Sequence, residues 1–253
     1  MILPYDERGE GPTIVLLHAG VADRRMWAGL LDRLAAERVR ALAPDLQGFG
    51  DAPFDAAPVA PWQDVLETLD AAGVERFALA GNSFGAAIAK RVAHLAPERV
   101  SALVLISAPP EDGTPSPRLA AAWEAEEEAF EDGDLDRAVA AVVEAWTLPD
   151  APAEQRELVA QMQRRVYELQ PEAGQPPDAP DPLETDPAAF ADLSVPLAVA
   201  VGEHDMEDFH AVARELAGSS SIEIAGAGHL APLERPDEVL ELLLAAARGE
   251  LPT

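Results

Sequence analysis

Residues 1–253 predict an α/β protein with a mostly parallel sheet and helices on both faces, interrupted once by a helical insertion. Three observations predict it. Short, continuous apolar runs alternate with helical patterns over the first two-fifths of the chain. The same alternation resumes near residue 196. Between the two lies a stretch of about eighty residues with helical patterns and no strand pattern. Strands buried on both faces read as unbroken apolar runs, and strand–helix alternation builds parallel crossover units.

Taken in order, residues 13–18 (TIVLLH) form the first buried strand pattern. Asp23 then offers an N-cap for a helix reaching about Glu37. Residues 39–43 are a second strand ending at Pro44, and residues 62–72 a helix closed by Gly73. Residues 76–80 are a third strand, 83–95 a helix and 100–106 (VSALVLI) a fourth strand. After Ser107, prolines 109, 110, 115 and 117 break the pattern. Helices are expected at about 118–131, 135–146 and 153–169. The third carries an apolar stripe of Leu158, Met162, Val166 and Leu169. A Pro- and Asp-rich stretch, 171–187, follows. Residues 196–201 (PLAVAV) and 221–225 are the last strands, with helices at 207–217 and 236–248. The domain expectation is a core of residues 1–108 and 193–253 with a helical cap at 109–192.

Composition narrows the chemistry. The apolar fraction of 48% is enough for a sizeable core. No cysteine is present, so disulfides, thiolate metal sites and a cysteine nucleophile are excluded. Acidic residues outnumber basic ones 46 to 18, a formal charge of −28 that repels phosphate backbones and anionic lipid heads. Nucleic acid and membrane partners are therefore not expected. The stretch 111–192 alone holds 21 acidic and 5 basic residues, the mark of a solvated outer face. No apolar run is long enough to span a bilayer, and the first residues lack a basic-then-apolar leader pattern, so a cytoplasmic location is expected. The acidic surface works against self-association at low salt, but a homodimer through the insertion stays open.

The strongest motif is Gly81-Asn82-Ser83-Phe84-Gly85, between a strand pattern and a helix pattern. That context suits a nucleophile elbow. The turn is tight, so small residues flank the serine at two positions on either side, and the helix start aims N–H groups and its positive dipole end at a developing oxyanion. The rival reading is a turn serine that caps the helix. Other elements carry His18-Ala19-Gly20 at the end of the first strand, Val201-Gly202-Glu203-His204-Asp205 at the end of a late strand, and Gly226-Ala227-Gly228-His229 after the last strand.

Together these segments resemble the α/β-hydrolase superfamily from about Gly9 to Arg248, and within it the small esterase, lactonase and enol-lactonase group. The resemblance implies the α/β-hydrolase fold and the catalytic order Ser83, Asp205, His229. It implies backbone N–H donors to the oxyanion from Gly20 and Phe84. Ala19 stands where that group usually has glycine, which would be strained if the position needs positive φ. Glu203 and Asp208 could replace Asp205, and Glu111 and Asp112 are more distant substitutes. His18 reads as a brace of its loop. His94 reads as structural, near a helix C-terminus. His204 and His210 read as surface residues near the acid loop, without recognised zinc-ligand spacing. Asp45-Leu46-Gln47-Gly48-Phe49-Gly50 resembles a turn that braces the His18 loop, and Trp27 a packing aromatic. Candidate substrate-binding residues are Val21, Trp123, Trp146, Met206 and Leu230. Phe84 doubles as a candidate wall, and Phe130, Met162 and Tyr167 are further ones.

The expected function is hydrolysis of a carboxylic ester or lactone of a small molecule through an acyl-enzyme on Ser83, with no cofactor and no metal. Two alternatives stand beside it: a carbon–carbon hydrolase of a dicarbonyl compound with the same triad, and an idle small-molecule binding protein. Haloalkane dehalogenases and epoxide hydrolases of this scaffold use Asp at the elbow, where this chain has Ser83.

Overall fold

A computed structural model describes residues 1–54, 58–169, 176–185 and 195–251. The chain begins with β1 (Tyr5–Arg8) and β2 (Thr13–Leu17), followed by a short 3-10 turn, Arg24–Trp27, and α1 (Ala28–Ala36). Asp23 caps this turn by accepting from the Arg25 amide. Then come β3 (Arg40–Pro44), α2 (Pro61–Ala71), β4 (Phe77–Asn82), α3 (Phe84–Leu95) and β5 (Val100–Ile106). Four helices precede the next strand: α4 (Pro117–Glu131), α5 (Leu135–Trp146), α6 (Ala153–Leu169) and α7 (Pro182–Thr185). The chain closes with β6 (Leu197–Gly202), α8 (Glu207–Ala217), β7 (Ile222–Ile224), α9 (Ala231–Glu234) and α10 (Pro236–Arg248).

The seven strands form one sheet in the order β1-β3-β2-β4-β5-β6-β7. Only β1 runs antiparallel, pairing Tyr5 with Pro44 and Arg8 with Ala41 on β3. The central strands alternate cleanly between two cores. Ile14, Leu16, Ala78, Ala80, Val104 and Ile106 face the side covered by α1 and α10. Val15, Leu17, Phe77, Leu79, Leu103 and Leu105 face the side covered by α2 and α3. The period of two puts successive residues on opposite faces, and both faces are covered, so nearly every position is apolar. Trp27 is fully buried in the first of these cores.

Three elements depart from the sequence expectation, among them the short α9 before α10. β1 was not expected, because its residues Tyr-Asp-Glu-Arg carry no apolar run; it is a charged edge strand held by backbone pairing to β3. α7 lies in the Pro- and Asp-rich stretch, where no helix pattern is expected. Residues 171–175 and 186–187 of that stretch, and the expected boundary at 192/193, lie outside the described residues. The inserted helices pack over one end of the sheet. Leu119 of α4 and Val142 and Trp146 of α5 share a cluster with Val199 and Val201 of β6 and with Met206, Phe209 and Ala213.

Candidate active site

β4 runs straight into α3 with one residue between them. That residue, Ser83, has φ 53° and ψ −116°, a region that side-chain-bearing residues avoid. Its backbone is pinned on both sides: its N–H donates to the Ile106 carbonyl at 2.9 Å, and its carbonyl accepts from Ala86 at 2.8 Å. The side chain makes no capping bond to the helix, so the rival reading of Ser83 as a helix cap does not hold. The flanking glycines have a direct steric reason. A Cβ on Gly81 would collide with the Gly85 carbonyl, and one on Gly85 with the carbonyls of Leu17 and His18. The amide of Phe84 belongs to the first turn of α3, whose N–H groups have no intrahelical acceptor.

The loop after β2 lies directly against this turn. A Cβ on Gly20 would stand 3.4 Å from the Phe84 Cβ, so the two expected amide donors are neighbours. Ala19 is not in the left-handed region, so alanine there is unstrained. His18 braces the loop. Its Nε2 accepts from the Leu46 amide at 2.9 Å, which leaves Nδ1–H to donate to the Ala19 carbonyl at 2.9 Å. Burial pushes the pKa of His18 below the ordinary histidine range, against the opposing pull of the Ala19 carbonyl and of Asp45 and Asp23. Asp45 binds the Arg24 and Asp51 amides at 2.9 and 2.8 Å and pairs with the Arg24 guanidinium.

His229 and Asp205 meet at the end of the sheet. The imidazole Nδ1–H donates to Asp205 at 3.0 Å to Oδ1 and 3.1 Å to Oδ2, and the Met206 amide donates to Oδ1 at 2.8 Å. In the neutral ring this leaves Nε2 as the unprotonated nitrogen. Burial would raise the Asp205 carboxyl. The charge of His229, its hydrogen bond, Ser107 and the Met206 amide outweigh that and hold it below the usual carboxylate range. Asn82, the residue before Ser83, spans the two halves of the site: its Nδ2 donates to the Ile106 carbonyl at 3.2 Å and to the His229 carbonyl at 3.1 Å. Three of the substitutes for Asp205 are engaged elsewhere. Glu203 accepts from the Gly226 amide, Asp208 from the Ser116 amide, and Glu111 pairs with Lys90 and Arg91.

The candidate substrate-binding residues divide. Trp146 lies on the imidazole itself, ring centroids 4.5 Å apart, and Phe209 meets the same ring at 4.4 Å. Met206, with Trp146, Asp205 and His229, lines a cavity of about 560 Å³. Val21 is half-buried where two apolar clusters meet. Leu230 and Met162 are fully buried in the core. Trp123 does not join the group: it is 49% exposed on α4 and lines a separate groove with Pro109, Asp208 and Leu216. Phe130 is also exposed, against the ring of Tyr167, whose hydroxyl donates to Glu126 at 2.7 Å. His94 is half-buried in the last turn of α3 and His204 is exposed. No group of three His, Asp or Glu side chains among the described residues could hold a metal.

A second cavity, of about 650 Å³, opens beside the oxyanion side of the turn. Gly20, Phe84, Phe49, Trp62 and Val166 line it, and Arg91 lies at one end. Sequence reasoning missed Asn82, Phe209 and Glu234. Glu234 accepts from the Gly228 amide at 2.6 Å, immediately before His229. Burial raises its carboxyl above the ordinary range, although the Gly228 amide and the charge of His229 act the other way. Of the three, only Asn82 carried a signal, its place in the elbow motif.

A profile of the alpha/beta hydrolase family matches residues 14–242, from β2 to within α10. The chain belongs to that family. Among curated relatives it is 36% identical over 104 residues to "Epoxide hydrolase 3" of Siraitia grosvenorii, which covers 39% of this chain and 33% of that one. It is 32% identical over 112 residues to "Pimeloyl-[acyl-carrier protein] methyl ester esterase" of Aeromonas hydrophila, covering 44% and 43%. It is 38% identical over 107 residues to "2-hydroxymuconate semialdehyde hydrolase" of a Pseudomonas species, covering 40% and 38%. Each match thus spans less than half of the relative's length. The fold matches a thermophilic esterase from Thermogutta terrifontis with a TM-score of 0.74 at 24% identity, over 99% of this chain and 94% of the other. No helix among the described residues is long and apolar enough to cross a membrane.

Proposed function

We propose that this chain is a serine hydrolase that cleaves a carboxylic ester or lactone of a small molecule through an acyl-enzyme on Ser83. One observation carries the reading. Ser83 is held in a conformation that costs free energy and makes no capping bond, and its neighbour Asn82 donates to the carbonyl of a histidine whose Nδ1–H is fixed by a buried carboxylate. In this reading His229 Nε2 takes the Ser83 proton as Oγ attacks the acyl carbon. Asp205 stabilises the imidazolium, and the Gly20 and Phe84 amides hold the oxyanion. The imidazolium then protonates the departing alkoxide, and the same nitrogen draws a proton from water to release the acid and restore Ser83. Residues 109–192 act as a cap over a core of 1–108 and 193–253. The surface charge favours a small-molecule partner over nucleic acid or membrane.

The relative named as a methyl ester esterase supports the ester reading. The relatives named as epoxide hydrolases do not extend to this site, because a serine stands where the expected carboxylate nucleophile would be. The relative named as a semialdehyde hydrolase favours a second reading, cleavage of a carbon–carbon bond in a dicarbonyl compound by the same residues. Turnover of a short-chain p-nitrophenyl ester by the wild type and by Ser83→Ala is the test. A loss of about 10³ or more in kcat for the variant is expected when the nucleophile is removed. Equal rates would overturn the role of Ser83. A folded wild type that cleaves no ester would move the carbon–carbon and binding-protein readings forward.

A further inference from the structure

We infer that the acyl cavity of this enzyme takes neutral, apolar groups and rejects those that carry a carboxylate. The inference rests on the acyl-enzyme reading and names its substrate class. The cavity beside Gly20 runs along one face of α3, past Phe84, Ala87, Ile88 and Arg91. These positions follow the i, i+3, i+4, i+7 pattern of a single helical stripe, and the seven steps from Phe84 to Arg91 cover about 10 Å. Phe49, Phe54 and Trp62 supply aromatic walls. An acyl chain leaving the oxyanion donors would therefore pass two helical turns of apolar surface and end at Arg91.

A guanidinium in that place looks like a carboxylate receptor, but its donors are already taken. Nε donates to Asp181 at 3.1 and 3.0 Å. Nη1 donates to the Ala87 carbonyl at 2.9 Å and to Glu111 at 3.2 Å. Nη2 donates to Glu111 at 2.9 Å and also to Asp181. The five N–H groups of the side chain are all engaged, and Glu111 and Asp181 together balance Arg91 and Lys90, which pairs with Glu111 at 2.8 Å. Arg91 is the only cationic residue among the described residues that line the cavity, whereas Asp178, Asp181 and Glu184 line it too. A substrate carboxylate would have to displace a protein carboxylate or lie without a partner beside Asp178, Asp181 and Glu184, whose like charge repels it. The segment that closes this end is anchored: the Val59 amide donates to Pro177 at 2.9 Å, and the Ala179 amide to Val59 at 2.8 Å.

The test compares p-nitrophenyl hexanoate with mono-p-nitrophenyl adipate, which share chain length and leaving group and differ in a terminal carboxylate. Both are assayed near 1 M NaCl, where a Debye length of about 3 Å removes the long-range repulsion of the acidic surface but not the local pairing. The wild type is expected to prefer the hexanoate in kcat/KM by at least about a hundredfold. Asp181→Asn, which removes one of the two carboxylate partners of Arg91, is expected to shift the adipate-to-hexanoate ratio of kcat/KM about tenfold toward the adipate. Adipate turnover within threefold of hexanoate, lost in Ser83→Ala, would overturn the selectivity while leaving the acyl-enzyme reading intact. Turnover of neither ester would overturn that reading and this inference with it. The wild-type comparison decides even if the variant does not fold.

Discussion

At the scale of single residues, Ser83 shows a functional position set against stability. Its φ of 53° and ψ of −116° suit glycine, and such a conformation costs about 1–3 kcal/mol for other residues. Ser83→Gly is therefore expected to stabilise the protein by about 1 kcal/mol, after allowing for the greater chain entropy of glycine in the unfolded state, while abolishing hydrolysis. Ser83→Ala, which keeps the strain, should abolish hydrolysis without the gain. Urea unfolding of the three proteins measures this, and equal midpoints for the glycine and alanine variants would contradict the strain. Asp205 and His229 could be named because their motifs stand where the resemblance to the α/β-hydrolase superfamily puts the acid and the base. The partners that hold them could not. Phe209 sits in an ordinary helical pattern, and Glu234 looks like one more acid in an acidic chain, until folding brings its carboxylate 2.6 Å from the Gly228 amide.

At the scale of elements, His18 joins the end of β2 to the loop after β3. Its Nε2 accepts a hydrogen bond, so protonation breaks the bond to Leu46 and places a charge in a fully buried site. The folded pKa lies below the unfolded value of about 6.5. Between the two, the unfolded chain binds the extra proton, so stability is complete above about pH 6.5 and declines as the pH falls beneath it. Asp205, also depressed, adds a further loss only at lower pH, beneath the unfolded carboxylate value of about 3.9. The urea midpoint is expected to fall from pH 8 to pH 5.5, and less so in His18→Asn. The same fall in both proteins would exclude His18 as the cause. The elements themselves were legible in unequal measure. β2, β4, β5 and β6 are central and buried on both faces, so their apolar runs announce them. β1 does not, because an edge strand needs only backbone pairing. α7, with four residues beside an ion pair, has too few turns to show a period.

At the scale of the whole molecule, 46 acidic residues face 18 basic ones, and most of the ion pairs among the described residues are at least partly exposed. Such pairs contribute little each, and the excess carboxylates repel one another over distances that dilute salt leaves unscreened. Raising KCl from about 10 mM to about 500 mM is expected to raise Tm by about 3 °C or more, since 1 kcal/mol corresponds to about 2–4 °C at this size. A constant or falling Tm would mean that attractive pairs outweigh the repulsion.

Sequence by itself determined the class of fold, the single interruption of the sheet and the three residues of the proposed triad. Each of these is written in local pattern: apolar runs, helical period, and glycines where a Cβ would strike a backbone carbonyl. Only the tertiary structure decided which residues surround them. It put Trp146 of the insertion on the imidazole and left Trp123, from the same insertion, in a groove elsewhere. It also saturated Arg91, because Glu111 and Asp181, 20 and 90 residues away in the chain, converge on it. A helical period says which face a side chain shares, but not which distant carboxylate will be waiting there, since that depends on how the elements close on one another.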